Sequence, residues 1–204
     1  MNIAVFASGR GSNFQAILNA IDEGRLPARV TLLVSNNSDA GALDLARSQN
    51  IPAFHLSPKQ FASEEAYVQQ LLALLQQHNI ELIALAGYLK KVPSVVIERY
   101  RNRILNIHPA LLPSFGGPGM YGHHVHEAVI AAGVKVAGAT VHLVDEEYDR
   151  GPIVHQKTIN VLSDDTAETL ALKVLKIEHE IYPEVLAAFA RSRVKIEGRK
   201  VWIQ

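Results

Sequence analysis

Residues 3–21 read IAVFASGRGSNFQAILNAI and contain a complete strand–turn–helix pattern. Ile3–Ala7 is a short apolar run typical of a buried strand, and two glycines in the next four residues end it. From Ser12 to about Glu23, apolar side chains recur at helical spacing. A buried strand that passes through a glycine turn into an amphipathic helix begins a βαβ unit, so this stretch predicts an α/β fold.

The rest of the chain continues the alternation of apolar strands and amphipathic helices. Strands are predicted at Val30–Val34, Leu82–Ala86, Ile104–Ile107, Ala137–Val144 and Ile153–Val161. Helices are predicted at residues 40–49, at Ala66–Gln77, from Gly122 to Ala132, and from Asp165 to about Arg191. Asp165 and Glu168 have capping-box spacing, and Pro183 is expected to kink or split the last helix. The pattern predicts a single domain with one open, mostly parallel twisted sheet and helices on both faces.

Composition narrows the class of protein. The chain has 204 residues, of which 48% are hydrophobic and 20% charged, as in an ordinary globular domain. Its 20 basic and 20 acidic residues cancel, which disfavours nucleic acid or a membrane surface as a partner. The absence of cysteine excludes disulfides, thiolate nucleophiles and cysteine-ligated metals. The chain opens on a strand and has no long apolar run, so a soluble cytoplasmic protein is expected.

The glycine turn, residues 8–13 (SGRGSN), lies where open α/β sheets expose a helix N-terminus that can bind an anion. A dinucleotide fingerprint would need a glycine where Phe14 stands and an acid after the second strand, which ends in Ser35–Asn37. The chain also lacks the Gly-Lys-Ser/Thr of a P-loop. Two interpretations stay open. One is a tight turn with Ser12 as helix N-cap, and the other is a phosphate monoester bound by Gly11, Ser12 and Asn13.

A candidate catalytic group begins where the strand at Ile104–Ile107 ends. Asn106 and His108 are two residues apart in an extended segment, so the amide and the imidazole share one face. This pair suits a reaction in which an oxyanion develops, because the amide donates a hydrogen bond while the imidazole transfers a proton. Asp149 lies in a turn fixed by Gly151-Pro152 and is a candidate to orient His108 and raise its pKa.

The other histidines are weaker candidates for chemistry. His142 lies inside a predicted strand and is expected to be a hydrogen-bonded core residue. A metal site is superficially suggested by His123, His124 and His126. His123 and His124 are adjacent and cannot share a helix face, while His123 with His126 supplies only two ligands. No metal is therefore predicted.

Six motifs occur in one order along nearly the whole chain. They are SGRGSN (8–13), LAGYLK (85–90), NIHPALLP (106–113), GATVH (138–142), DRGP (149–152) and EHEIYP (178–183). With them the chain resembles the folate-dependent formyltransferases and, within these, the phosphoribosylglycinamide formyltransferase family of purine biosynthesis. The Asn-x-His-Pro block with a later aspartate is typical of all folate formyltransferases. The Gly-Ser-Asn turn and the chain length are typical of this family.

The resemblance implies a Rossmann-like formyltransferase domain over residues 1–204. Residues 1–100 would be the phosphate-binding half, and residues 101–204 the catalytic and folate-binding half. It implies direct transfer of the formyl group of the co-substrate 10-formyltetrahydrofolate to the amine of 5'-phosphoribosylglycinamide, through a tetrahedral oxyanion intermediate. The expected partners are these small molecules, and the expected state is a monomer or a homodimer.

The resemblance also implies residue roles. Asn106 would contact the formyl group, His108 would be the proton donor, and Asp149 would raise the pKa of His108. The ribotide would contact Gly11, Ser12 and Asn13 through its phosphate, and Glu178. The formyl-folate would contact Leu89, Lys90, Lys91, Val92 and Asn106.

Three departures from the family pattern stand out. Lys90 stands where many relatives have an arginine. Glu64 stands where some relatives place a folate-contacting arginine, so no role is assigned to Glu64. The loop 116–122 is richer in glycine than in many members and is expected to form a mobile lid over the folate site.

Competing functions remain. A 10-formyltetrahydrofolate hydrolase would use water in place of the amine, but such enzymes usually carry an additional N-terminal regulatory domain. Methionyl-tRNA formyltransferase would need a second, basic C-terminal domain. A non-catalytic nucleotide-binding α/β domain is disfavoured because Asn106, His108 and Asp149 are all present.

Overall fold

A computed structural model describes all residues, 1–204, as two compact units, Met1–Leu105 and Asn106–Gln204. Together they contain six α-helices and nine strands. None of the six helices combines the length and the apolar character that crossing a bilayer requires.

The first unit alternates strands and helices. Its elements are β1 (Asn2–Phe6), α1 (Ser12–Asp22), β2 (Arg29–Ser35), α2 (Gly41–Ser48), β3 (Ala53–His55), a 3-10 turn (Pro58–Gln60), α3 (Glu64–Gln77), β4 (Leu82–Leu85) and α4 (Ser94–Arg99). The strands lie in the order β3-β2-β1-β4, and every pairing is parallel. The central strands β1, from Ile3 onward, and β4 are apolar and buried because both of their faces are covered. Parallel pairing places the carboxyl ends of β1, β2 and β4 at one edge.

The second unit follows from β5 (Ile104–His108), which crosses the boundary between the units. Its further elements are α5 (His123–Ala131), β6 (Val136–Leu143), β7 (Ile153–Asn160), α6 (Ala167–Ala190), β8 (Val194–Glu197) and β9 (Lys200–Ile203). β6 and β7 pair antiparallel, and β8 and β9 form a separate antiparallel hairpin. α6 packs on β6 and β7, and buried side chains along most of its length form the core of this unit.

The predicted α/β class with a mostly parallel sheet is confirmed, whereas the cap at Asp165 and a split of α6 at Pro183 are wrong. The N-cap is Thr166 rather than Asp165, whose carboxylate instead accepts from the Leu162 N–H at 2.8 Å and pairs with Lys173 at 2.6 Å. Pro183 does not divide the helix, which is continuous over Ala167–Ala190. Pro183 lies within the buried part of the helix, where tertiary packing outweighs the loss of one backbone hydrogen bond.

The sequence-based prediction lacks several short elements, among them β3, α4 and the two strands of the C-terminal hairpin. β3 has three residues and α4 has six, too few for a periodicity to show. The hairpin of β8 and β9 alternates half-buried and exposed residues, with several charged side chains among them, and lacks the apolar run used to identify the other strands.

Candidate active site

The glycine turn joins β1 to α1. Gly11 is the helix N-cap, with φ 86° and ψ 27°, so the interpretation of Ser12 as N-cap is wrong. A Cβ at Gly11 would lie 3.0 Å from the Ala42 Cβ, and its positive φ disfavours other residues as well. As a glycine, this N-cap has no side chain with which to cap the first turn of α1. Its backbone N–H groups therefore have the arrangement by which helix N-termini bind anions.

Ser8 connects this turn to two neighbouring strand ends. Its hydroxyl donates to the Asn36 Oδ1 atom and accepts from the Leu89 N–H at 2.8 Å. Asn36 follows β2 and Leu89 follows β4, so one buried hydroxyl joins the carboxyl ends of three strands. No role of its own was predicted for Ser8, although a hydroxyl directly after an apolar strand is a signal that could have identified this role.

The segment Leu89–Val92, expected to line a folate pocket, follows β4. Leu89 is 50% exposed, and Lys90 and Lys91 are exposed, whereas Val92 is 3% exposed. The first three side chains can offer an apolar contact and two positive charges to a ligand. Val92 packs in the core and could offer a ligand only its main chain.

In the second unit, His142 orients the side chain of Asn106. The His142 Nδ1 atom lies 2.8 Å from the Leu143 carbonyl oxygen, which can only accept, so Nδ1 carries the hydrogen. In the neutral ring, Nε2 is then an acceptor, and the Asn106 Nδ2 atom donates to it at 3.0 Å. His142 is buried and hydrogen-bonded as the sequence predicts, but its partner is a candidate catalytic residue.

His108 is 3% exposed, and its two ring nitrogens have different neighbours. Nε2 donates to the Phe115 carbonyl oxygen at 2.8 Å, because a carbonyl cannot donate. Nδ1 lies 3.6 Å from the Asp149 Oδ2 atom, within ion-pair distance when the ring is protonated. Nδ1 is therefore the nitrogen that can exchange a proton with a reactant.

Asp149 lies in the loop between β6 and β7, with a left-handed φ of 55°. Its Oδ2 atom accepts from the Gly117 N–H at 2.9 Å, and its Oδ1 atom lies 3.6 Å from the His142 Nε2 atom. Burial acts to raise the pKa of Asp149, but His142, His108 and the Gly117 N–H together lower it below its ordinary value. The carboxylate is therefore ionised at neutral pH.

The pKa of His108 is lowered from its ordinary value of 6.5. Burial is the largest cause, while the Asp149 carboxylate and the Phe115 carbonyl act in the opposite direction and His142 adds a smaller decrease. Asp149 thus raises the pKa of His108 as the sequence analysis expects, but desolvation is stronger. The imidazole is neutral at pH 7 until a reactant supplies a proton.

Two polar side chains, the buried Thr140 and the exposed Gln156, hold the chain segment that follows His108. The Thr140 hydroxyl donates to the Ala110 carbonyl oxygen at 2.6 Å and accepts from the Leu112 N–H at 3.0 Å. The Gln156 amide donates to the Leu112 carbonyl oxygen at 2.9 Å. Further along, a Cβ at Gly116 would lie 3.1 Å from the Asp149 Cβ. The anchored segment ends at Phe115 and Gly117, whose carbonyl and N–H groups contact His108 and Asp149.

The three clustered histidines do not converge. His123 and His124 are on the surface and pair with Glu127 at 3.5 and 3.2 Å. His126 points inward, is 6% exposed, and has no hydrogen-bond partner for its Nδ1 atom. Nowhere do three or more histidine, aspartate or glutamate side chains come together in a way that could hold a metal ion.

The remaining candidate, Glu178, lies in α6 and is 8% exposed. Among the residues named from sequence, the structure brings Asn106, His108 and Asp149 together, with His142 between Asn106 and Asp149. The contacts of Phe115 and Gly117 were missed because they are made by backbone atoms, for which side-chain identity gives no signal.

Comparison with known proteins places this geometry in context. Residues 1–186 match the family model described as "Formyl transferase". The phosphoribosylglycinamide formyltransferase of Bacillus subtilis (strain 168) is 43% identical over 183 residues, which cover 90% of this chain and 91% of that protein. The chloroplastic phosphoribosylglycinamide formyltransferase of Arabidopsis thaliana is 43% identical over 194 residues, or 95% of this chain. This chain spans 66% of the length of that plant protein.

Solved structures show the same likeness. The crystal structure of glycinamide ribonucleotide transformylase 1 from Symbiobacterium toebii superposes with a TM-score of 0.92 at 42% identity, covering 100% of this chain and 93% of that one. A formyltetrahydrofolate deformylase from Pseudomonas syringae pv. tomato superposes with a TM-score of 0.88 at 25% identity, covering 99% of this chain and 65% of that one.

Proposed function

The chain belongs to the formyl transferase family, and we propose that it transfers the formyl group of 10-formyltetrahydrofolate to the amine of 5'-phosphoribosylglycinamide. One observation carries this proposal: an amide donor, a neutral imidazole and an ionised carboxylate meet in the second unit. Asn106 is oriented by His142 at 3.0 Å, and His108 Nδ1 lies 3.6 Å from Asp149. These are the groups that an acyl transfer to an amine needs when no covalent enzyme intermediate is formed.

The bound 10-formyltetrahydrofolate supplies the formyl carbon, which gains a bond to the amine nitrogen and loses its bond to N10. Asn106 stabilises the negative charge that develops on the formyl oxygen, by donating an amide hydrogen bond to it. Since one N–H of this amide is bound to His142, the second N–H is the one directed to the oxyanion. Donors preorganised in this way commonly contribute the largest single part of the stabilisation of such a transition state.

His108 transfers the proton that the amine loses. Because its pKa lies below 6.5, the ring is neutral before reaction and accepts this proton at Nδ1. The resulting imidazolium is stabilised by the Asp149 carboxylate at 3.6 Å and by the Phe115 carbonyl at 2.8 Å. His108 then donates the same proton to the departing N10, so charge and protons balance over the reaction.

The substrate contacts are assigned to residues outside the catalytic group. Gly11, Ser12 and Asn13 bind the ribotide phosphate at the first turn of α1, where Gly11 is the N-cap. Leu89 offers an apolar surface for an aromatic ring of the folate, and Lys90 and Lys91 can pair with its carboxylates. Glu178 contacts the glycinamide ribotide. The reactants are thus small molecules.

A direct assay tests this function. The purified protein is incubated with 10-formyltetrahydrofolate, with and without glycinamide ribotide, while the loss of formyl-folate absorbance is followed. Loss that depends on the ribotide is expected. Loss without ribotide would instead assign the hydrolase activity, and no loss under either condition would leave only a binding function. The exposed His124, changed to Asn, provides a control for substitutions at His108.

A further inference from the structure

We infer that Arg199, at the turn of the C-terminal hairpin, positions Asp149 for proton transfer; this inference rests on the proposed function. The hairpin consists of β8 and β9, joined through Gly198 and Arg199. It lies outside residues 1–186, the part of the chain that the family model matches. Neither the motifs in the sequence nor the family model assigns it a role.

The contact is made to the backbone next to the carboxylate. The Arg199 Nη2 atom donates to the Arg150 carbonyl oxygen at 2.6 Å. Arg150 directly follows Asp149, so this bond restrains the Arg150–Gly151 peptide, one residue beyond Asp149, and limits how far the Asp149 backbone can turn. A guanidinium has a permanent charge and several donors on a rigid plane, which makes it a strong and directional partner for a carbonyl oxygen.

The Asp149 loop needs external restraint because its conformation is unfavourable. Asp149 has a φ of 55°, a left-handed conformation that a non-glycine residue keeps only where its surroundings hold it. The end of the loop is anchored, since the Leu143 N–H donates to the Pro152 carbonyl at 2.8 Å and Gly151 packs against the Leu143 carbonyl. The Arg199 bond extends this anchoring to the Arg150–Gly151 peptide, so that only the Arg150 backbone separates the anchored part of the loop from Asp149.

The hairpin is itself held in place, so it can act as a support. β9 packs against β7, and the Arg193 N–H donates to the Ala188 carbonyl in α6 at 2.9 Å. Across the two strands, the Lys195 Nζ atom lies 5.9 Å from the centre of the Trp202 ring. Arg199 is therefore presented by an anchored two-stranded element rather than by a loose end.

Arg199 acts through Asp149, so it is a positioning residue rather than a catalytic one. In Arg199→Ala, the Asp149 carboxylate would lose this support and would be held beside His108 Nδ1 less firmly, by the Gly117 N–H at 2.9 Å. The other charged or titratable neighbours of His108 are His142 and His126. We expect kcat to fall by about fivefold, as for the loss of one hydrogen bond, with the ribotide KM unchanged. The His108 titration should move to lower pH, because the carboxylate raises the pKa of His108.

The experiment compares the wild-type protein with Arg199→Ala, Arg199→Lys and Lys200→Ala, a control at the next, exposed position of the same hairpin. Formyl transfer is measured against pH, and the His108 ring is titrated by NMR, with Asp149→Asn marking the full effect of losing the carboxylate. Arg199→Lys keeps a cationic donor and should recover part of kcat and of the His108 titration.

Two outcomes would overturn the inference. One is an Arg199→Ala protein that matches Lys200→Ala in kcat and in the His108 titration. The other is a fall in kcat with no shift of the His108 titration, since this would indicate a general structural effect. A wild-type protein without formyl transfer would refute the proposed function, while the NMR titration would still decide the role of Arg199.

Discussion

The His142 Nε2 atom accepts a hydrogen bond from the Asn106 amide at 3.0 Å, and the His142 Nδ1–H donates to the Leu143 carbonyl at 2.8 Å. The backbone carbonyl determines the tautomer of His142, and the tautomer determines which atom of the Asn106 amide faces it. A buried histidine in a strand interior therefore sets the orientation of the group proposed to stabilise the oxyanion.

The first prediction concerns this relationship. Replacing His142 with Phe keeps an aromatic ring but removes the acceptor, so the Asn106 amide is free to turn. We expect kcat to fall by roughly 5- to 150-fold, the range that corresponds to about 1–3 kcal/mol for an unsatisfied buried partner. The ribotide KM should stay nearly constant. His142→Gln, which retains an acceptor, should recover part of the rate, and equal rates for both variants would contradict this role.

The second prediction concerns the proton-transfer pair. His108→Ala and Asp149→Ala should each lower turnover by orders of magnitude, because one removes the proton carrier and the other removes its counter-charge. Ribotide affinity, measured by calorimetry, should change little in either variant. Near-normal turnover in either of them would refute the assigned roles.

The third prediction separates two glycines of the same turn. Gly11→Ala places a Cβ 3.0 Å from the Ala42 Cβ at a φ of 86°, whereas a Cβ at Gly9 meets nothing within 4 Å. The left-handed conformation alone costs an alanine roughly 1–2 kcal/mol. Gly11→Ala should therefore lower both the melting temperature and the affinity for the ribotide phosphate, while Gly9→Ala changes the melting temperature little. The two melting curves and a ribotide titration make the comparison.

The fourth prediction concerns stability at acid pH. Burial lowers the pKa of His126 below 6.5, and its Nδ1 atom has no hydrogen-bond partner. Since the unfolded chain then binds the proton more readily than the folded one, stability falls as the pH drops below 6.5 through the folded-state pKa. His108 and His179 act in the same direction. Urea unfolding at pH 7.5 and 5.5 should show a smaller acid loss for His126→Leu than for the wild-type protein.

His124→Leu provides the matched control for this measurement, because His124 lies on the same helix with its side chain 65% exposed. It should show the same acid loss as the wild-type protein. An equal loss in all three proteins would show that His126 does not contribute.

Much of the fold could be predicted because its signals are local. Strand β4 is apolar over its whole length, β1 is apolar from Ile3 onward, and helix α1 shows its buried face by spacing alone. The errors occur where tertiary contacts compete with local preference. Pro183 stays inside a continuous helix because that part of the helix is buried, and Asp165 takes other partners, which leaves the cap to Thr166.

The sequence by itself determined the α/β class and the inventory of the site, since both depend on residue types and their spacing. Only the tertiary structure decided that Nδ1 of His108 is left for proton transfer, because Nε2 donates a hydrogen bond to the backbone carbonyl of Phe115. It also decided that the pKa of His108 is lowered, because burial outweighs the Asp149 charge. The bond from Arg199 to Arg150 spans 49 residues of chain, and no local pattern reports a contact between a side chain and such a distant carbonyl.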